Sequence, residues 1–293
     1  MGDYHVHLHP HGPHQGDGPA PGHYPIDHIE AYVEHGVARG ADEIAFTEHL
    51  YRCVEAGPVL GEWWADDPRK DLSRYTAAYV RSERVLSLEK YVQAVVDAKD
   101  RGLPVLLGLE VDFFPDTVES VVEMLAPFPF DVLVASTHWL GAWGFDLPDM
   151  VGEFERRGVD VAYDEYFDVE KQLSASGHFD VLAHADVVKK QGPTLPAPPL
   201  DHYEELAIAA SRGGMAVEVS TAGLHQPIGE MYPAPALLER FHRHGVPITI
   251  ASDAHFPTQC GRDRDKAIEL ARSVGYTERI AFRNRIGRMV PLT

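Results

Sequence analysis

The residues best able to do chemistry in this chain are histidines and carboxylates that recur at the ends of short apolar runs. The first run closes in Asp3-Tyr4-His5-Val6-His7, where the alternation of side chains along a strand puts His5 and His7 on one face. Later runs end in Thr47-Glu48-His49, Gly108-Leu109-Glu110, Ser136-Thr137-His138 and Leu182-Ala183-His184. Two more carry Glu218 and the terminal Ser252-Asp253-Ala254-His255. Imidazole and carboxylate together suit divalent transition metals. A thiolate site lacks material, because Cys53 and Cys260 are the only cysteines and neither belongs to a CxxC pair. A lone His138 or His184 reads equally well as a satisfied polar group at a strand end. Seven runs that each deliver a His, Asp or Glu do not, since capping chemistry has no reason to choose histidine so often. The expected chemistry is hydrolysis assisted by bound metal ions.

The elements that must position these residues follow from hydrophobic periodicity. Strands are expected at Asp3–His7, Glu43–Thr47, Val105–Val111, Asp131–Thr137, Asp180–His184, Ala216–Ser220 and Ile248–Ser252. Helical spacing separates them. Ile29, Tyr32, Val33 and Val37 recur on one face, with Gly40 as the expected cap residue just past the end. Further helical stretches cover Leu72–Arg101, Tyr163–Ser176, His202–Arg212, Pro235–His244 and Arg264–Val274. Strands alternating with helices predict a parallel sheet, and seven such units predict a closed α/β barrel in a single domain spanning residues 1–293. In such a barrel the C-terminal strand ends converge on one mouth, so the histidines and carboxylates would meet there. Gly192–Leu200 reads as a long loop of the same domain. Residues 51–75, with the Trp63-Trp64 pair, and 139–149 read as loops that shape or cover a pocket.

The balance of 26 basic against 45 acidic residues, net −19, argues against a long nucleic acid as partner. It leaves an anionic small molecule open, because bound divalent cations invert the charge locally. No apolar run is long enough for a membrane span, and the N-terminus carries no basic-then-apolar leader, so the expected location is cytoplasmic. His9, His11, His14 and His23 fall in a loop, where each alone reads as solvated.

The ordered motifs, DxHxH at the start, then TEH, GLE, STH, AH and the closing SDAH, resemble the PHP (polymerase and histidinol phosphatase) family. Tyr166-Phe167, Phe179 through Lys190 and Glu218 through Leu224 are similar to its histidinol-phosphate phosphatases. The resemblance implies a distorted (β/α)7 TIM-like barrel holding two to three divalent metal ions, Zn, Mn or Fe. Carried over motif by motif, the metal ligands would be His5, His7, His49, Glu110, His138, His184, Asp253 and His255, with Glu110 bridging two metals. A ninth family ligand falls on Pro13 here, with His14 the nearest replacement and His11 the next.

The implied reaction is phosphomonoester hydrolysis by a metal-bridging hydroxide, with L-histidinol phosphate as the substrate and Glu110, Asp253 and His255 as the catalytic set. A metal-bound water, or a mouth residue such as His255 or Glu48, would protonate the leaving oxygen. Arg52, Lys189, Lys190, Arg262 and Arg264 lie just past strand ends and are candidates to pair with phosphate, and Glu218 to accept from a substrate ammonium. Three alternatives stand beside this reading. One is a PHP phosphoesterase for another small ester such as a nucleoside monophosphate. Another is an amidohydrolase-type barrel, which would place a modified lysine where this chain has His138. The last is a non-catalytic metal-binding module, which the nearly complete ligand set opposes.

Overall fold

The computed structural model describes residues 2–10 and 18–292, so His11 and His14 lie outside the described residues. Strand β1 (Asp3–Val6) leads to α1 (Ile26–Ala38), and β2 (Ile44–Phe46) to an excursion holding α2 (Gly57–Leu60), α3 (Lys70–Glu83) and α4 (Leu88–Asp100). Next come β3 (Val105–Asp112), α5 (Val118–Leu125), β4 (Val132–Ser136) and a hairpin of β5 (Trp139–Leu140) and β6 (Trp143–Gly144). Helices α6 (Glu153–Arg157) and α7 (Val159–Ala175) precede β7 (Val181–Leu182), α8 (Leu200–Gly213) and β8 (Ala216–Ser220). The chain finishes with α9 (Pro235–Arg243), β9 (Ile248–Ala251), α10 (Arg264–Ser273), β10 (Glu278–Arg283) and β11 (Ile286–Pro291).

Seven strands make one parallel sheet in the order β1-β2-β3-β4-β7-β8-β9. Its two edges meet, since His7 N–H donates to Ala254 O at 2.7 Å and Ala254 N–H to His5 O at 3.3 Å. The Asp3 carboxylate finishes this seam by accepting from Ser252 N–H (2.9 Å), Ser252 O–H (2.5 Å) and Gly261 N–H (2.8 Å). The result is a nearly closed barrel, as the seven apolar runs predict. Alternation divides each strand between two cores: Val132 and Val134 point inward with Tyr4, Leu106 and Val181, whereas Leu133 and Ala135 pack beneath the helices.

Two expectations need correction. The helical stretch Leu72–Arg101 is two helices. Ser87 caps α4 by accepting from Lys90 N–H at 3.4 Å, and Glu55 accepts from Leu88 N–H at 2.9 Å, which breaks the periodicity between them. The chain also continues past its last expected helix into the antiparallel pair β10–β11. Its two-residue turn, Asn284-Arg285, holds both residues at positive φ. Arginine is an unusual choice there, and Arg285 is kept in place by Asp180 (2.9 and 3.1 Å) and by Asp131 O. This hairpin seals the N-terminal end of the barrel. Ala281 and Phe282 join the interior core, and Phe282 N–H donates to the Tyr4 hydroxyl, which itself donates to Glu43.

At the opposite mouth, the segments read as pocket-shaping loops are tied together. Asp67 accepts from Ala142 N–H (2.9 Å), Thr76 O–H donates to Ala142 O (2.6 Å), and Tyr75 O–H donates to Asp149 (2.9 Å). Among the described residues no helix is long and apolar enough to cross a membrane.

Phe282→Ala removes the plug's largest buried ring, so the expected loss is about 3–5 kcal/mol of stability. Denaturant unfolding monitored by circular dichroism checks it; an unchanged midpoint would mean that the hairpin does not seal the core.

Candidate metal centre

The mouth is organised around one carboxylate. Glu110, fully buried on β3, has Oε2 at 2.7 Å from His49 Nδ1, 3.2 Å from His5 Nε2 and 3.5 Å from His7 Nε2. Its Oε1 lies 3.2 Å from His184 Nε2 and 3.6 Å from His138 Nε2. Asp253 adds a second anionic point, with Oδ1 at 3.2 Å from His7 Nε2 and 3.7 Å from both His5 Nε2 and His255 Nδ1. Five strand ends thus deliver imidazoles and two deliver carboxylates into one small space. In particular, the ligand atoms of His7, His49 and His255 lie within 4.8 Å of one another, as do those of His5, His7 and Glu110 and those of His49, Glu110 and His138.

This donor set fits divalent metal ions. His184 Nδ1 is buried without a hydrogen-bond partner, and Glu110 Oε2 is crowded by three ring nitrogens at 2.7, 3.2 and 3.5 Å, which is costly unless a cation takes the lone pairs. Burial alone would raise the Glu110 and Asp253 carboxyls, but the surrounding imidazoles hold both well below the usual range, so they stay anionic. Burial lowers His49 to about 4 and His255 to about 3, leaving neutral rings, the form that binds metal. Backbone strain sits here too: His184 (φ 26°) and Asp253 (φ 52°) are non-glycine residues at positive φ, where the strand ends turn to aim their side chains inward.

A second layer holds the imidazoles. Asp112, two residues after Glu110 on the same face of β3, lies 2.7 Å from His138 Nδ1. Burial would lower His138, yet Asp112 and the nearby Glu110 and Asp146 raise it to about 10. Asp112 escaped the sequence reading, although its i+2 spacing from Glu110 was the available signal. Glu218 does the same work for His5, at 2.8 Å from Nδ1, and its other oxygen accepts from His184 N–H at 2.8 Å.

That placement corrects the expectation that Glu218 meets a substrate ammonium, since both its oxygens are engaged and it is fully buried. Arg52 is corrected likewise. It is 1% exposed, lies 3.1 Å from Glu48 and 3.4 Å from Glu83, and donates to His9 O, so its guanidinium does not face the mouth. Lys189 is buried against Asp186 (2.9 Å), Glu230 (3.2 Å) and Met231 O, where it clamps the loop before α9. Arg264 points to Arg39 O and Asp265 on the outer surface. Glu48 and His255 are poor proton donors for a leaving group. Burial would raise Glu48, but Arg52 and His7 hold it well below the usual range, and His255 is neutral.

Lys190 and Arg262 remain as candidate cations. Lys190 lies 2.9 Å from Asp146 and is 26% exposed; burial opposes its charge, while Asp146 and the fields of Asp253 and Glu110 favour it. Arg262 feels Asp253 as well, and its Nε is buried without a hydrogen-bond partner.

A nearly closed parallel barrel with a histidine–carboxylate cluster at its C-terminal mouth defines a class of metal-dependent hydrolase folds. The PHP domain matches residues 7–222, and the chain belongs to the PHP family. His5, Asp253 and His255 lie outside that match, so they join the site by geometry. The chain is 33% identical over 254 residues to a probable histidinol-phosphatase of Deinococcus radiodurans, covering 87% of this chain and 90% of that protein. It is 24% identical to the histidinol-phosphatase of Bacillus subtilis, covering 78% and 87%. The fold superposes on histidinol phosphate phosphatase from Lactococcus lactis, solved with Zn, L-histidinol and phosphate, with a TM-score of 0.67, 21% identity and 98% of each chain covered.

Asp112→Asn keeps the shape but loses the charge that orients His138, so metal affinity should fall about 10- to 100-fold. Competition with a chromophoric zinc chelator measures this, and wild-type affinity in the variant would remove Asp112 from the site.

Proposed function

We propose that this chain is a metal-dependent phosphomonoesterase whose preferred substrate is L-histidinol phosphate, cleaved by water to L-histidinol and phosphate. The observation that carries the reading is the Glu110 carboxylate shared among His5, His7, His49, His138 and His184. His5, His7, His49, Glu110, His138, His184, Asp253 and His255 are the residues assigned to hold two or more divalent ions, of which zinc is the first to test. When bound, such ions activate a water near neutral pH and neutralise the oxygens of a transferring phosphoryl group.

The rest of the work falls to the chain itself. Glu110 and Asp253 fix the positions of the imidazoles from opposite sides, while Asp112 and Glu218 set the rotation of His138 and His5. Lys190 and Arg262 are the cations assigned to the phosphate oxygens, and Asp146 holds the lysine in position without burying it. The likeness to curated histidinol-phosphatases supports the substrate, and the strongly acidic chain supports a small ester over a long nucleic acid. Cys53 and Cys260 are both buried and unpaired, which supports a reducing, cytoplasmic setting.

Zinc- or manganese-loaded protein should release phosphate from L-histidinol phosphate at least about tenfold faster, in kcat/KM, than from nucleoside monophosphates or sugar phosphates, a difference of ~1.4 kcal/mol. A preference for a nucleotide would overturn the substrate, and no release from any monoester would overturn the reaction. Lys190→Met should raise KM about tenfold with a smaller change in kcat, as expected for an interaction made with the ground state as well. Unchanged steady-state constants would take Lys190 out of the phosphate site.

A further inference from the structure

Strand β1 stops at Val6, and so does its ladder with β2, where Val6 stands opposite Phe46 and Thr47 N–H donates to Val6 O at 2.7 Å. His7 N–H still reaches Ala254 O across the seam. Among the described residues, however, Leu8, His9 and Pro10 make no backbone-to-backbone hydrogen bond. All three are buried, so their peptide groups need other partners. Side chains from the end of β2 supply them. Glu48 Oε2 accepts from His9 N–H at 3.0 Å, and Arg52 Nη1 donates to His9 O at 2.9 Å. Arg52 Nη1 also donates to Glu48 Oε1 at 3.1 Å, and Nη2 donates to Pro10 O at 3.4 Å. One buried ion pair thus holds both backbone groups of His9.

The same carboxylate meets two members of the cluster. Glu48 Oε1 accepts from His49 N–H at 3.3 Å and lies 3.6 Å from His7 Nδ1. The Glu48 carbonyl accepts from Glu110 N–H at 3.0 Å. The His7 and His49 rings stack with centroids 4.3 Å apart, so any slip of the β1 end along the β2 end changes their spacing. We infer that Arg52 is a positioning residue, which acts through Glu48 to fix the chain at Leu8–Pro10 and thereby the spacing of His7 from His49. The acid is required because three donors, Arg52 Nη1, His49 N–H and His9 N–H, converge on its two oxygens. An amide turned either way would aim its own N–H at one of them. The guanidinium is required because it donates at once to a carboxylate and to two carbonyls. A buried ion pair returns little net stability, so what this pair contributes is the register of the segment that carries His7.

The inference rests on His7 and His49 being metal ligands, and the test keeps the two apart. Arg52→Met, Glu48→Gln, Glu83→Gln and His7→Ala are compared with the parent chain by zinc affinity in chelator competition, by the visible absorption of cobalt-loaded protein and by thermal midpoint. Arg52→Met and Glu48→Gln should each bind zinc about 10- to 100-fold more weakly. The cobalt band should change in both, since it follows ligand geometry. Glu48→Gln is isosteric and leaves Arg52 its second partner, Glu83, 3.4 Å from Nε, so it carries the test if the methionine variant fails to fold. Glu83→Gln is the control, because it breaks the same buried network from α3. It should lower the midpoint while zinc affinity stays within about twofold and the cobalt band is unmoved. A loss of zinc affinity as large in Glu83→Gln as in Glu48→Gln would mean that the network acts through stability alone, and would overturn the inference. Parent-like affinity and cobalt absorption in Glu48→Gln would overturn it too. Parent-like zinc affinity in His7→Ala would overturn it through the ligand assignment instead.

Discussion

Everything at the mouth follows from placing the Glu110 carboxylate in a fully buried position. An isolated carboxylate moved from water into protein interior pays a desolvation cost that only opposite charge or several hydrogen bonds can offset. Here the offset comes from five imidazoles delivered by the ends of four strands, His5 and His7 from β1 and His49, His138 and His184 from β2, β4 and β7. A carboxylate bonded only to neutral rings would still carry its charge unbalanced. The cluster therefore makes physical sense either with protons on several rings or with cations among them. Low-lying His49 and His255 resist protons, which leaves cations as the better partner for that side of the site.

Such a cluster demands rigid support, and the barrel gives it in layers. Asp3 pins the β1–β9 seam, which carries His5 and His7 on one side and Asp253 and His255 on the other. Glu218 links two neighbours through a ring nitrogen of His5 and the backbone N–H of His184. That backbone contact also holds His184 in its positive-φ conformation. The strain at His184 and Asp253 is then a consequence of where the strands end: a regular extension of either strand would carry the side chain past the cluster.

The barrel and the cluster were legible because both obey short-range rules. A strand alternates with period two, a parallel strand buried on both faces reads as an apolar run, and a histidine at its end needs no partner to be noticed. His5, His7, His49, Glu110, His138, His184, Asp253 and His255 are all found that way, and the structure brings all eight together. What escaped depends on partners far along the chain. Arg52 looks like a free cation after β2 until Glu83, from a helix whose start and end were both misplaced, packs beside it. Glu218 looks like a mouth acceptor until His5 and His184 take both oxygens. The closing hairpin hides because its turn uses arginine at positive φ, a choice stabilised by Asp131, His178 and Asp180 just ahead of distant strands.

The same dependence explains why so few cations face the mouth of a chain with net charge −19. Arg52 and Lys189, which follow strand ends in sequence, are consumed by buried carboxylates, because burying Glu48 or Asp186 without a cation would cost more than the ion pair gains. Lys190 differs from its neighbour Lys189 by a single position, which turns it from the α9 loop toward Asp146 and the fields of Glu110 and Asp253. Asp146 is itself buried, but Lys190 stays 26% exposed, which leaves the lysine open to an incoming anion. Arg262, in the loop after β9, is the other cation assigned to phosphate. On the proposed reading, an anionic substrate approaching this acidic molecule would meet favourable charge from Lys190 and from the ions the cluster would hold, which would confine phosphate to the end of the barrel where the imidazoles stand.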